Sequence, residues 1–354
     1  MSSEINKEFL VQRLATSKET IPQFINSDIF EASAIENPIK ELPKLSTLIH
    51  SHITKIGLVF KPPIKETTYK ACNEQINELM KTITMLCSLN KQINKNNDGN
   101  GTYSNLFVCE LKHTVEDLLK FISLLFGEIS QNLEIENESD EESGRLISIG
   151  RVWEICQTLE KIGNGGSSGV LRLKIKENNK LVIDALEELT EWIENPVNNE
   201  DVDPFGFESE SELESDDDNA FTNDANPPVA GETENEKISV DEELINFAKK
   251  WKQKIQLVKL LLSSLDKSIP VFKLTSEFAS KIDIINEKTL KLCENVDDIV
   301  ASIVWDGDVE TAQEAGNELS LVVKYICQLV IKLNEKDDKK VRWLETWKTK
   351  FLEV

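Results

Sequence analysis

The chain contains only three histidines, His50, His52 and His113. Histidine is the side chain most used for metal binding and acid–base catalysis. His50 and His52 lie two residues apart on a predicted helix, which places them roughly 200° apart around its axis. They therefore do not point at a common ion. The glycine-rich sequence GNGGSSG at 163–169 lacks the GK[ST] of a phosphate-binding loop, and no predicted strand precedes it. We predict a protein without catalytic residues, metal, cofactor or small-molecule substrate.

Serines in acidic runs form the one local pattern with a chemical mechanism. Four of them have an acidic residue three positions later and are candidate phosphorylation sites: Ser139, Ser209, Ser211 and Ser215. A phosphate group would deepen an already negative field and strengthen attraction to basic partners. Serines in such runs also match this pattern by composition alone, so both interpretations stay open.

Two tryptophans near the C-terminus, Trp343 and Trp347, are candidate partner-binding residues. They are spaced i,i+4 on a predicted terminal helix. Five cations accompany them: Lys339, Lys340, Arg342, Lys348 and Lys350. Exposed aromatic residues beside arginine favour protein interfaces. The alternative is that the pair packs the last helix onto its bundle. Packing is also the expectation for Trp153, Trp192, Trp251 and Trp305.

The formal net charge of −23 is unevenly distributed. Residues 200–236 hold 14 carboxylates and no Lys or Arg, and residues 134–142 hold six more carboxylates. Without these 20 charges the rest of the chain carries only about −3, which argues against direct nucleic-acid binding.

The six cysteines include no CxxC pair and indicate reduced thiols of an intracellular protein. No apolar run reaches the length of a membrane span.

The acidic stretch also defines the expected domain organisation. It has no apolar period and contains several proline and glycine residues, so it is predicted to be disordered. We therefore predict an N-terminal helical bundle at 1–198, an acidic disordered linker at 199–238 and a C-terminal helical bundle at 239–354.

Helical periodicity dominates both halves. Apolar residues recur at spacings of three and four, as in Ile76, Leu79 and Ile83, and no segment alternates with period two. The pattern predicts an all-α protein made of antiparallel bundles. Residues 90–101 are predicted to be a polar loop and 163–169 a flexible connector. Ser239 with Glu242 resembles a capping box that opens the first helix of the second half.

Two motifs resemble the cyclin-D-interacting protein family (the GCIP or cyclin-D-binding protein family). One is SHITKIGLVFKPP at 51–63, a helix that runs into a Lys-Pro-Pro stop, and the other is GRVWEIC at 150–156. An acidic segment containing DPFG at 203–206 and a helical C-terminal half follow in the same order as in the family. The resemblance implies two antiparallel bundles similar to those of vinculin and α-catenin, and no catalysis. It also implies a regulator of nucleus and cytoplasm that binds D-type cyclins and helix-loop-helix transcription factors.

Three hypotheses follow for the function. The first is a non-catalytic regulator of the cell cycle and of transcription that binds helical partner proteins in apolar grooves. The second is a cytoskeletal or adhesion scaffold of the vinculin/α-catenin type, which would act with actin or at membranes. The third is an acidic chaperone that binds basic proteins through its linker. The sequence does not identify the partner, the binding surface or the oligomeric state.

Overall fold

The computed structural model describes residues 5–25, 29–97, 101–135, 144–196, 241–270 and 274–354. Within these ranges every regular element is a helix, which confirms the predicted all-α class. The predicted acidic linker at 199–238 lies wholly outside the described residues, and so do the four candidate phosphoserines. No helix among the described residues combines the length and apolar character needed to cross a membrane.

Nine α-helices follow one another along the described parts of the chain. Their bounds are α1 Lys7–Gln23, α2 Pro38–Val59, α3 Tyr69–Asn97, α4 Asn105–Ile135, α5 Arg145–Glu194, α6 Glu242–Ser268, α7 Ser276–Val304, α8 Val309–Leu333 and α9 Asp338–Glu353. A short 3-10 helix, Glu66–Thr68, precedes α3. The predicted helix end before Lys61-Pro62-Pro63 is confirmed, because α2 ends at Val59.

Side-chain caps mark several helix starts. The carboxamide of Asn6 accepts a hydrogen bond of 2.9 Å from the backbone N–H of Phe9 and caps α1. Asp308 accepts hydrogen bonds from the N–H groups of Glu310 and Thr311 and caps α8. The cap of α6 is Asp241, which accepts from the N–H of Glu243. Ser239, predicted to cap this helix, lies outside the described residues.

The glycine-rich sequence at 163–169 joins two helical segments of α5 across a kink, so the predicted interruption is present but is confined to one residue. Only Gly166 departs from helical geometry, with φ of 55°. A Cβ at Gly163 would lie 2.7 Å from Cδ of Pro43, so glycine allows α5 to approach α2 closely. Ser167 is fully buried, and its hydroxyl accepts a hydrogen bond of 3.2 Å from the N–H of Ser104. Small residues here serve close packing, and their composition resembles that of a linker.

The predicted polar loop at 90–101 is also wrong over most of its length. Helix α3 continues to Asn97, and one of its polar residues, Gln92, has hydrogen-bond partners in the segment before α2. The carboxamide of Gln92 donates a hydrogen bond of 2.7 Å to the carbonyl of Ile35. It also accepts a hydrogen bond of 3.2 Å from the backbone N–H of Ile35. The hydroxyl of Ser33 donates to the same Gln92 oxygen.

The chain divides into two compact units. Unit 1 comprises Met1–Glu177, Ser264–Thr289 and Leu329–Asp338, and unit 2 comprises Asn178–Ser263, Leu290–Gln328 and Lys339–Val354. Unit 1 contains a continuous apolar core that runs from Leu10 to Val170. Independent folding of residues 1–198 and 239–354 stays a prediction.

Within unit 2 the tryptophans differ. Trp192 and Trp251 are buried as predicted. Trp305 is 49% exposed, and its indole N–H donates to Glu188 at 3.0 Å, so its predicted core position is wrong. Five of the six cysteines of the chain are buried free thiols, and Cys109 is exposed.

Candidate protein-binding surface

Large aliphatic side chains are exposed at one end of the unit 1 bundle. Four residues form this surface, which we call the apolar end: Leu58 (69% exposed), Ile135 (68%), Leu146 (56%) and Ile147 (72%). They belong to the last turns of α2 and α4 and to the first turn of α5. Exposed aliphatic residues that form one patch mark interaction sites more often than inert surface.

Buried Arg145 joins α5 to α2 beneath the apolar end. It is 1% exposed, and its Nη1 donates to the carbonyl oxygen of Gly57 at 2.7 Å. A Cβ at Gly57 would lie 2.9 Å from Cδ1 of Ile149, so glycine lets the two helices meet here. The end of α2 and the start of α5 are therefore held together, which places Leu58 at the same end of the bundle as Leu146.

Helix α4 is tied to the same end through Glu128. Its Oε1 accepts a hydrogen bond of 3.0 Å from the hydroxyl of Ser148, one turn into α5. Helix α4 continues for about two turns past Glu128 and ends at Ile135, the fourth exposed residue of the apolar end. The apolar end therefore rests on three helices that are connected by polar contacts, and such support keeps a binding surface in one shape.

The predicted histidine positions show no arrangement for chemistry. The ring of His50 stacks on that of Trp153 with centroids 5.4 Å apart, and Nδ1 of His52 is buried without a partner among the described residues. Trp153 is half-buried. Burial raises the pKa of the nearby Cys156 thiol to about 12, so it is a poor nucleophile at neutral pH. No group of His, Cys, Asp or Glu among the described residues could hold a metal ion.

The two candidate tryptophans of α9 have different environments. Trp347 is buried, and its indole N–H donates to the carbonyl of Leu257 at 2.9 Å. Its ring stacks on that of Phe351 with centroids 5.2 Å apart. Trp343 is 41% exposed. Trp347 therefore anchors α9 on α6, whereas a contact of Trp343 with a partner stays a prediction.

Two open grooves also lie in unit 1. A groove of about 710 Å³ lies beside the start of α2 and Gly163, and it is lined by residues that include Ile35, Lys40 and Lys44. A second groove of about 390 Å³ lies between α1 and α4, beside Lys18 and Leu124. Both contain several charged side chains, and neither matches the aliphatic character of the apolar end.

The apolar end was missed by the sequence analysis, although a signal exists in the sequence. Leu146 and Ile147 are neighbours, and a helix turns by about 100° between successive residues. Ile149 and Val152 already provide the buried face of this part of α5. Leu146 and Ile147 are therefore additional apolar residues that this turn of α5 does not bury in the core.

Comparisons with known proteins found one matching family and two similar proteins. Residues 41–195 match the family described as "Grap2 and cyclin-D-interacting, N-terminal". The chain is 26% identical over 325 residues to an uncharacterized protein of Saccharomyces cerevisiae, an alignment that covers 90% of this chain and 86% of the yeast protein. It is 27% identical over 317 residues to an uncharacterized protein of Schizosaccharomyces pombe, with 88% and 85% covered. The resemblance found in the two motifs is confirmed, and both motifs lie within the matched residues.

Proposed function

We propose that this protein is a non-catalytic regulator that binds a helical partner protein at the apolar end, because residues 41–195 match the family described as "Grap2 and cyclin-D-interacting, N-terminal". The partner class is a D-type cyclin or a helix-loop-helix transcription regulator, and the process is cell-cycle progression or transcription. The regulator acts in the nucleus and the cytoplasm.

The observation that carries the proposal is the position of the apolar end inside the matched domain. Leu58 belongs to the 51–63 motif, and Leu146 and Ile147 lie just before the 150–156 motif. An apolar helix face of a partner would cover these side chains and remove them from water. Burial of aliphatic surface contributes about 25 cal/mol per Å² before the costs of association.

The test is binding of purified D-type cyclin to the full chain, measured by isothermal titration calorimetry. The double variant L58E/I147E places charge on the two most exposed residues of the apolar end and should weaken binding by about tenfold or more. Both side chains are largely exposed, so the melting temperature should stay close to that of the unmodified chain.

A matched control is L48E/M85E, which adds the same charge at exposed apolar residues of α2 and α3. This variant should bind cyclin as the unmodified chain does. Equal loss in both double variants would argue against the apolar end as the site. Co-sedimentation with filamentous actin in the absence of cyclin binding would instead favour a scaffold of the vinculin/α-catenin type.

A further inference from the structure

Helices α6 and α9 carry a cationic surface in a strongly acidic protein. Helix α6 contains six lysines and three carboxylates, and α9 contains five cations and three carboxylates. The whole chain, in contrast, has a formal net charge of −23. Positive charge is therefore concentrated on two helices of unit 2.

These two helices pack against each other. The indole N–H of Trp347 donates to the carbonyl of Leu257, and Nζ of Lys254 lies 5.7 Å from the ring centroid of Phe351. Moving from Trp347 to Phe351 along α9 corresponds to moving backward from Leu257 to Lys254 along α6. The helices are thus antiparallel, and the last turns of α9 lie beside the middle of α6.

Four lysines flank this contact on the two helices, and we call them the cationic patch: Lys250, Lys254, Lys348 and Lys350. Lys250 lies one turn before Lys254 on the same face of α6, and Lys348 and Lys350 lie within one turn of Phe351. None of the four forms an ion pair with a described carboxylate. Elsewhere in unit 2, Lys291 pairs with Glu294 at 3.4 Å.

Lys254 shows most clearly that the patch lacks a counter-charge. Its ammonium group lies 4.9 Å from the ring centroid of Trp251 as well as beside Phe351, and the side chain is half-buried. Burial lowers the pKa of Lys254. A partly desolvated cation is stabilised by an approaching carboxylate, since the carboxylate offsets the cost of losing water.

The chain contains a polyanion directly before α6. Residues 200–236 hold 14 carboxylates and no cation, and five residues separate Glu236 from the first residue of α6, Glu242. Lys250 is eight residues into the helix, about 12 Å along its axis. Five extended residues span about 17 Å. A tether of this length is long enough for the last carboxylates of the segment to contact Lys250, and a tether this short gives an effective concentration on the order of millimolar.

We propose that the acidic segment 200–236 binds in cis to the cationic patch of α6 and α9. The partner of this surface is thus a segment of the same chain, recognised by opposite charge. Phosphorylation of Ser209, Ser211 or Ser215 would strengthen the contact, because each phosphate adds about −1.5 to −2 charges. The inference is independent of the proposed function, which concerns unit 1.

Zero-length carbodiimide cross-linking of the full chain tests the proposal, since it joins a lysine amine only to a carboxylate in contact with it. Mass spectrometry should find links from the patch lysines to carboxylates of 200–236 at low salt. These links should decline at 1 M salt, where the screening length falls to about 3 Å. The pair Lys281–Glu277, 2.6 Å apart within α7, serves as the internal standard for reactivity.

Charge reversal gives the specific comparison. In K250E/K350E the links from Lys254 and Lys348 to the segment should fall by about fivefold. The control K70E/K120E makes the same change at two exposed lysines of unit 1 and should leave the links unchanged. The proposal would be overturned if Lys70 were cross-linked to the segment as often as the patch lysines. In a mixture of isotopically light and heavy protein, cross-links that join a light chain to a heavy chain would also overturn the proposal, because such links show contact between two copies.

Discussion

Gly316 on α8 packs directly against the indole ring of Trp251 on α6. A Cβ at position 316 would overlap the six-membered ring of Trp251, which is itself 3% exposed. Glycine lowers helix propensity at this interior position by about 1 kcal/mol relative to alanine. The close packing of the two helices therefore stabilises the fold by more than the helix propensity that glycine loses at this position.

The substitution G316A should destabilise unit 2. The added methyl group requires movement of a buried ring, and overpacking of this kind costs about 1–3 kcal/mol, more than the gain in helix propensity. Urea unfolding followed by circular dichroism measures the loss. The control is G150A on α5, where no atom lies within 4 Å of the new methyl group. G150A should raise stability by up to about 1 kcal/mol, and a stable G316A variant would contradict the packing argument.

The two tryptophans of α9 should respond differently to truncation. W347A removes a buried ring and its hydrogen bond to Leu257, so the free energy of unfolding should fall by about 3–5 kcal/mol. W343A removes an exposed ring and should change it by no more than about 0.5 kcal/mol. Comparable losses in the two variants, measured by urea unfolding, would mean that Trp343 is also packed in solution.

Asp283 should contribute to stability as a cap supplied from another helix. Its two carboxylate oxygens accept hydrogen bonds of 2.9 Å from the N–H groups of Asn105 and Leu106 at the start of α4. D283A leaves these donors without the carboxylate and should cost about 0.5–2 kcal/mol. D283N keeps one carbonyl acceptor and should lose less.

The control for this prediction is D297A, an exposed position of the same helix α7. Its free energy of unfolding should change by less than about 0.5 kcal/mol. A D297A loss equal to that of D283A would trace the effect to the charge or helix propensity of α7 and would contradict the capping role.

Thiol chemistry should distinguish one cysteine from the other five. Burial raises the pKa of Cys87, Cys156, Cys293 and Cys327 to about 12 and that of Cys72 to about 11. At pH 8 a thiol with a pKa of 12 is ionised in about one molecule in ten thousand. Iodoacetamide should therefore add one label to the native chain, at exposed Cys109, and C109S should remove it.

Intact-protein mass spectrometry counts the labels. Urea should expose all six thiols and bring the count to six. A second label that appears on the native protein as fast as the first would show that one of the buried thiols is accessible.

The helical character of the protein could be predicted from the sequence because a helix forms its hydrogen bonds locally. The apolar stripe of α4, with Leu118, Ile122 and Phe126, needed no knowledge of its neighbours to be recognised, and all three are buried. The family motifs at 51–63 and 150–156 are local as well. Their family match is confirmed over 41–195.

The glycine-rich part of α5 and the end of α3 could not be predicted in this way. GNGGSSG resembles a linker in composition, but its helical geometry is interrupted only at Gly166, and a Cβ at Gly163 would lie 2.7 Å from Cδ of Pro43. Gln92 looked like a loop residue because its partner, Ile35, lies 57 positions away. Long-range partners of this kind override local propensity.

The sequence by itself determined the all-α class, where the acidic charge lies and which family the N-terminal part resembles. Tertiary structure alone decided that Trp347 is buried while Trp343 is exposed, that Asp283 caps a helix 177 residues earlier in the chain, and that Leu58 and Leu146 share one exposed end. The reason is physical. Periodicity records which side of a helix is apolar, whereas exposure and capping depend on which other helix arrives there.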